Sequence, residues 1–231
     1  MFKKFLHNIF YKFKPAFTLA EVLITLGIIG VVAALSIPQL ITAYQKVYVE
    51  SHVKKFYSTF NNAIKLSAEE NGDPTGWVIR DKNYSHKEMR KFLATYISPY
   101  YKHGSIWDRP VTSYNQTFIA TEMVYGGVML IHIDKNGMDI VYKPFDTQYR
   151  TTPNSPRNKF QFQLSKYVSK ANKKGVNSPD FVEPYIFDWK GTEADLRNNA
   201  TWGCKKGCTN CGYCTKMLQL NNWKIPKNYP W

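Results

Sequence analysis

Phe17-Thr18-Leu19-Ala20-Glu21-Val22-Leu23-Ile24-Thr25-Leu26-Gly27-Ile28-Ile29-Gly30-Val31-Val32-Ala33-Ala34-Leu35-Ser36-Ile37-Pro38-Gln39-Leu40-Ile41 carries a single charged side chain, Glu21, and none follows until Lys46. A helix needs about 20 predominantly apolar residues to cross the hydrocarbon core of a bilayer, so residues 17–41 read as one transmembrane helix. The preceding residues 1–16 hold Lys3, Lys4, Lys12 and Lys14 and no acid. The positive-inside rule therefore places that end in the cytoplasm and everything beyond about Thr42 outside it. A secretory signal would have a shorter apolar region followed by a small-x-small cleavage site; here the apolar run passes straight into an amphipathic pattern. Glu21 is the residue a plain anchor does not explain. The positive end of the helix dipole lowers its cost, but an acid at membrane depth marks a candidate functional site that needs a partner. The simpler reading is an interfacial carboxylate bathed in headgroup water.

Beyond the apolar run, Val49, Val53, Phe56, Phe60 and Ala63 recur at spacings of four and three, with Glu50, Lys54, Lys55 and Lys65 among them. This is the stripe of a helix with one face against a core. Asn71-Gly72-Asp73-Pro74 supplies a C-cap and a breaker, so residues 18–70 read as one helix roughly 80 Å long at ~1.5 Å per residue. A linker helix or a coiled-coil stalk is the plainer alternative for residues 42–72. Ser85-His86-Lys87-Glu88 has the capping-box pattern and starts a short helix that Pro99 ends. Residues 117–125, 128–134, 138–143 and 160–168 read as short strands, with Asn136-Gly137 as the hairpin turn between the second and third. The expected fold is α+β, a long helix laid on an antiparallel sheet, with residues 73–231 forming a globular head.

Lys14-Pro15-Ala16-Phe17-Thr18-Leu19-Ala20-Glu21-Val22-Leu23-Ile24 resembles the N-terminal signature of type IV pilins and type II secretion pseudopilins. In that family a basic leader is removed by a prepilin peptidase just before a Phe, the new amine is methylated, and a Glu four positions later guides assembly. The resemblance implies cleavage between Ala16 and Phe17, N-methylation of Phe17 and an assembly role for Glu21. Ala16 stands where the family usually has Gly, and is also small. Gly27, Gly30 and Pro38 fall where many members have helix-loosening residues, and Pro38 would permit a kink. The implied head is a helix on a small antiparallel sheet, and the implied partners are other pilin or pseudopilin subunits, the peptidase and an inner-membrane assembly platform. The implied location is the inner membrane, single-pass, with the head outside the cytoplasm and at the cell surface after assembly.

Cys204, Cys208, Cys211 and Cys214 form C-x3-C-x2-C-x2-C. Outside the cytoplasm disulfides are the default, and four cysteines allow three pairings. A four-thiolate zinc site is the alternative, although its two knuckles are usually separated by ~15–20 residues, and this cluster is far more compressed. Free thiols are the third reading. Pilins often staple the C-terminal part of the head with a disulfide, which favours bridges. Asp134, Asn136 and Asp139 offer oxygen ligands and are weak calcium candidates, since D-x-N-G is commonly a turn and an EF-hand loop is longer and ends in Glu.

The 231 residues include 31 Lys+Arg against 17 Asp+Glu, a net charge of +14. This favours anionic partners, nucleic acid and membrane surfaces alike. Aromatics at 16% argue against a disordered polyelectrolyte. The histidines His7, His52, His86, His103 and His132 are scattered, with no nucleophile elbow, P-loop or dinucleotide fingerprint. The sequence thus points away from an enzyme and implies no cofactor. Two functions remain: a structural subunit of a pilus or pseudopilus, or a minor or competence-type pilin whose basic head binds DNA.

Overall fold

The computed structural model describes residues 17–77, 83–107, 111–113, 116–134, 137–147, 152–164 and 181–231. The leader, with Ala16, and Asn136 lie outside the described residues. The chain divides into two compact units, Met1–Gln45 and Lys46–Trp231. Helix α1 spans Leu19–Asn71 and continues through Pro38.

In the first unit α1 is apolar on every side. Leu19, Leu23, Ile24, Leu26, Ile28, Ile29, Val31, Val32, Leu35 and Leu40 are all exposed. A helix apolar all round belongs either in a core or in lipid, and this one is long and apolar enough to span a membrane. Thr25 and Thr42 turn their hydroxyls onto the carbonyls of Val22 and Pro38, at 3.0 and 2.9 Å, hiding their polarity within the helix.

The second unit is α+β. Among the described residues its strands are β1 (His103–Ile106), β2 (Val111–Ser113), β3 (Gln116–Met123), β4 (Val128–Asp134), β5 (Gly137–Lys143), β6 (Phe160–Leu164) and β7 (Val182–Pro184). They pair antiparallel in the order β1-β3-β4-β5-β6-β7, and β2 also pairs with β3. The predicted stripe of α1 is its buried face: Val49, Val53, Phe56, Phe60 and Ala63 are all buried, together with Ile64 and Ser67. Phe56 lies at the centre, with ring centroids 4.8 Å from Tyr142, 5.2 Å from Phe162 and 5.4 Å from Phe60. The alternation of the strands sends Met129, Ile131 and Ile133 of β4, Met138 and Ile140 of β5, and Phe160 and Phe162 of β6 into this same core.

Helix α2 (His86–Tyr96) begins at the capping box expected for it: Ser85 N–H donates to Glu88 Oε2 at 2.8 Å and Glu88 N–H to Ser85 Oγ at 3.3 Å. The turn from β3 to β4 needs Gly127, whose φ of +84° is left-handed and whose missing Cβ would stand 2.7 Å from the Lys143 carbonyl. At the β7 edge, the Asn61 side chain accepts from Val182 N–H at 2.8 Å and donates to Val182 C=O at 2.9 Å, so α1 covers strand groups that would otherwise recruit another chain. Two short helices follow, α3 (Glu193–Asn198) and α4 (Cys214–Leu220). The C-terminal residues return to α1: Glu50 accepts from Lys224 Nζ at 2.9 Å and from Ile225 N–H at 2.8 Å, and Trp223 packs 4.6 Å from Tyr57.

Candidate functional site

Phe17 is 84% exposed at the start of the apolar helix. Thr18 is the residue before the first helical turn, and its N–H and Oγ both donate to Glu21 Oε2 at 2.8 Å, while Glu21 N–H donates back to Thr18 Oγ at 3.2 Å. This is a second capping box, which satisfies two of the four N–H groups that a helix start leaves orphaned. Its signature, Thr-x-x-Glu, is of the same Ser/Thr-x-x-Glu type that marks α2 at Ser85 and Glu88, so the sequence carried the signal. Both bonds to the carboxylate fall on Oε2, and Oε1 takes no part in the box.

The four cysteines form two nested bridges, Cys204–Cys214 and Cys208–Cys211. The outer bridge ties the segment after α3 to the first residue of α4, with Cα atoms 4.8 Å apart. All four sulfurs are thereby used and buried. The bridged loop also projects Asn210 and Thr209 toward the sheet, where Asn210 Oδ1 accepts from Lys159 Nζ at 2.8 Å and Thr209 C=O accepts from Asn154 at 3.3 Å.

That loop forms one wall of a groove of about 660 Å³ on the face of the sheet opposite α1. The groove is legible in β4, whose outward positions Val128 and Leu130 are apolar where a one-sided sheet would carry polar residues. With Trp107, Phe118, Ala120 and Val141 they form a second, smaller apolar cluster. Beyond it the register sets out a polar row, since His132 pairs with Asp139 and Asp139 with Gln163. His132 Nε2 lies 3.6 Å from Asp134 Oδ2, and Lys143 Nζ lies 3.1 Å from Asp146.

Burial shifts these groups. Asp139 is pushed up from 3.8 to about 6 by desolvation and then by the charge of Asp134. Lys159 is pushed down from 10.5 to about 8 by desolvation, with Lys143 adding to it and Asp139 opposing. For His132 burial is the largest single influence and disfavours the cation, but the Asp134 carboxylate and the Thr117 carbonyl together outweigh it and raise the value. Of the calcium candidates, Asp134 and Asp139 both line the groove, but Asp134 faces His132 and Asp139 bonds Gln163. Among the described residues no group of three or more His, Cys, Asp or Glu is placed to hold a metal ion.

Asp139 gives a pH prediction. Because its folded value lies above its unfolded one, the ionised carboxyl burdens the fold above about pH 6, and the burden is gone below about pH 4. Asp139→Asn should therefore stabilise the protein by about 2–3 kcal/mol at pH 7, the gain falling to nothing near pH 4. Thermal unfolding of both forms at the two pH values checks this; a gain independent of pH would contradict it.

The fold and these features define a protein with one membrane-span-grade N-terminal helix and a disulfide-bridged α+β head. The chain belongs to a family of unknown function, DUF6613, whose model matches residues 39–231. The match begins just after Pro38 and covers the head, so the residues that carry the pilin-like signature precede it. No curated protein and no solved structure matches the chain.

Proposed function

We propose that this protein is a structural subunit of a type IV pilus or a type II secretion pseudopilus, processed by a prepilin peptidase and assembled into a helical filament through its N-terminal helix. The observation that carries this reading is the helix beginning at Leu19, apolar on every side and bearing one acid in its first turn. In lipid such a surface is at rest; in a filament it packs against copies of itself, and repeated head-to-tail contacts that do not close give an open helical array. The bridged head suits an oxidising space outside the cytoplasm, with residues 1–16 on the cytoplasmic side. The role is structural rather than catalytic, and its partners are other subunits, the peptidase and the inner-membrane assembly platform.

Intact-mass analysis of membrane-derived protein tests the first step. In cells with a working prepilin peptidase the chain should start at Phe17 and carry one added methyl group on its amine. A chain that keeps Met1 to Ala16 in those cells would remove the processing on which the reading depends.

A further inference from the structure

Among the described residues, three buried atoms lining the groove on the outer face of the sheet make no hydrogen bond: Asp146 Oδ2, which is offset by the Lys143 ammonium 3.1 Å away, and two with no ionic partner, Trp107 Nε1, a donor, and Gln161 Oε1, an acceptor. Trp107 and Gln161 are each 4% exposed. Burying such atoms dry is costly, and proteins rarely leave them so without a reason. The register places them at opposite ends of one row. Trp107 N–H donates to the Ala120 carbonyl, Ala120 pairs with Leu130, Leu130 with Val141, and Val141 with Gln161. From Ala120 to Gln161 that row crosses four strands, roughly 14 Å, and its middle is apolar.

The charged side chains that line the groove already have partners: Lys143 pairs with Asp146, Asp134 faces His132, Lys159 donates to Asn210 Oδ1 and Asp139 bonds Gln163. What is left for a ligand is an indole N–H, an amide oxygen and ring faces. Tyr185 and Trp202 supply such faces on the wall, their rings 4.8 Å apart and tilted. An ionised carboxylate could accept from Trp107 but not donate to Gln161, and an ammonium could do only the reverse. A hydroxyl does both. A peptide amide does both as well, but extended peptides bind through free ladder groups at a sheet edge, and the floor of this groove is a sheet face whose ladder bonds are used.

We propose that the groove is a saccharide-binding site, taking a short run of sugar rings whose C–H faces lie on Leu130, Val141 and the aromatic wall while their hydroxyls satisfy Trp107 Nε1 and Gln161 Oε1. The size fits, since small-molecule sites commonly span about 300–1,000 Å³. The site stands apart from the assembly reading, because a chain that never enters a filament keeps the same groove.

The test uses the full chain in phospholipid nanodiscs, free of sugar-based detergent. It is titrated with trisaccharides of glucose, N-acetylglucosamine and mannose, and separately with tri-alanine and inorganic phosphate. Trp107 and Trp202 line the groove, so tryptophan emission reports occupancy. At least one trisaccharide should shift it saturably at roughly 0.1–1 mM. Gln161→Leu should melt at or above the wild-type temperature, because it removes an unsatisfied atom, yet bind that trisaccharide about tenfold more weakly. Trp107→Phe keeps a ring, removes the donor, and should weaken it likewise. No shift with any trisaccharide, a shift with tri-alanine or phosphate alone, or unchanged binding by both variants would each overturn the proposal.

Discussion

Phe56→Ala should destabilise the head by about 3–5 kcal/mol, the range for emptying a fully buried aromatic position. Phe56 is wholly buried in the face of α1 that meets the sheet, stacked on Tyr142 and Phe60 and against Phe162, with the Tyr101 ring edge-on at 6.4 Å. Four rings from four different parts of the chain lose a common neighbour, and aromatic pairs contribute about 0.5–1.5 kcal/mol each beyond the area they bury. Collapse into the space is opposed because the two sides of the cavity are rigid elements, a helix and a paired sheet. Phe56→Leu, which refills most of the volume, should cost less than half as much. Denaturant unfolding followed by tryptophan emission measures both, and equal losses for Ala and Leu would show that ring stacking, not the cavity, sets the cost.

The parts of this fold legible in the sequence are those in which one residue pattern runs long enough to be counted. The uncharged run from Val22 to Gln45 and the stripe through Phe56 fix α1, because a period of 3.6 sustained over many turns has no competing reading. Strands β3 to β6 stand out for the same reason, and Ser85 with Glu88 marks α2. Strands β1, β2 and β7 are three or four residues each, too short for alternation to register, and they exist because β3 and β6 offer them edges. The cysteine pairing depends on where α3 and α4 carry the chain, which spacing alone does not contain. The groove is an intermediate case. Val128 and Leu130 signal a second covered face, but its cover comes from residues near 153, 187, 202 and 210, joined only in three dimensions.

Under the proposed filament reading, Glu21 would carry a local role and an assembly role on one side chain. Its capping box with Thr18 offers a complete local account of an acid at this position, since a helix start stabilises a carboxylate there whether or not another molecule arrives. The filament reading adds a second partner. Cleavage before Phe17 would create an amine, and the carboxylate would meet that of a neighbouring subunit as it docks, each charge offsetting the desolvation of the other only when the two helices are in register. The two roles separate by mutation. Glu21→Ala removes both and should leave membrane insertion and head folding intact, because insertion rests on the whole apolar run, while reducing filament incorporation to little or nothing. Glu21→Asp should retain part of it. Thr18→Val removes the hydroxyl of the box and leaves the carboxylate, so incorporation should persist near the wild-type level if docking is what Glu21 serves. Shearing the cells and comparing surface-released with membrane-retained protein reads all three variants. If Thr18→Val fails as completely as Glu21→Ala, the acid acts as a helix cap; if Glu21→Ala enters the sheared fraction as well as the wild type, it is an interfacial residue and the filament reading loses its mechanism.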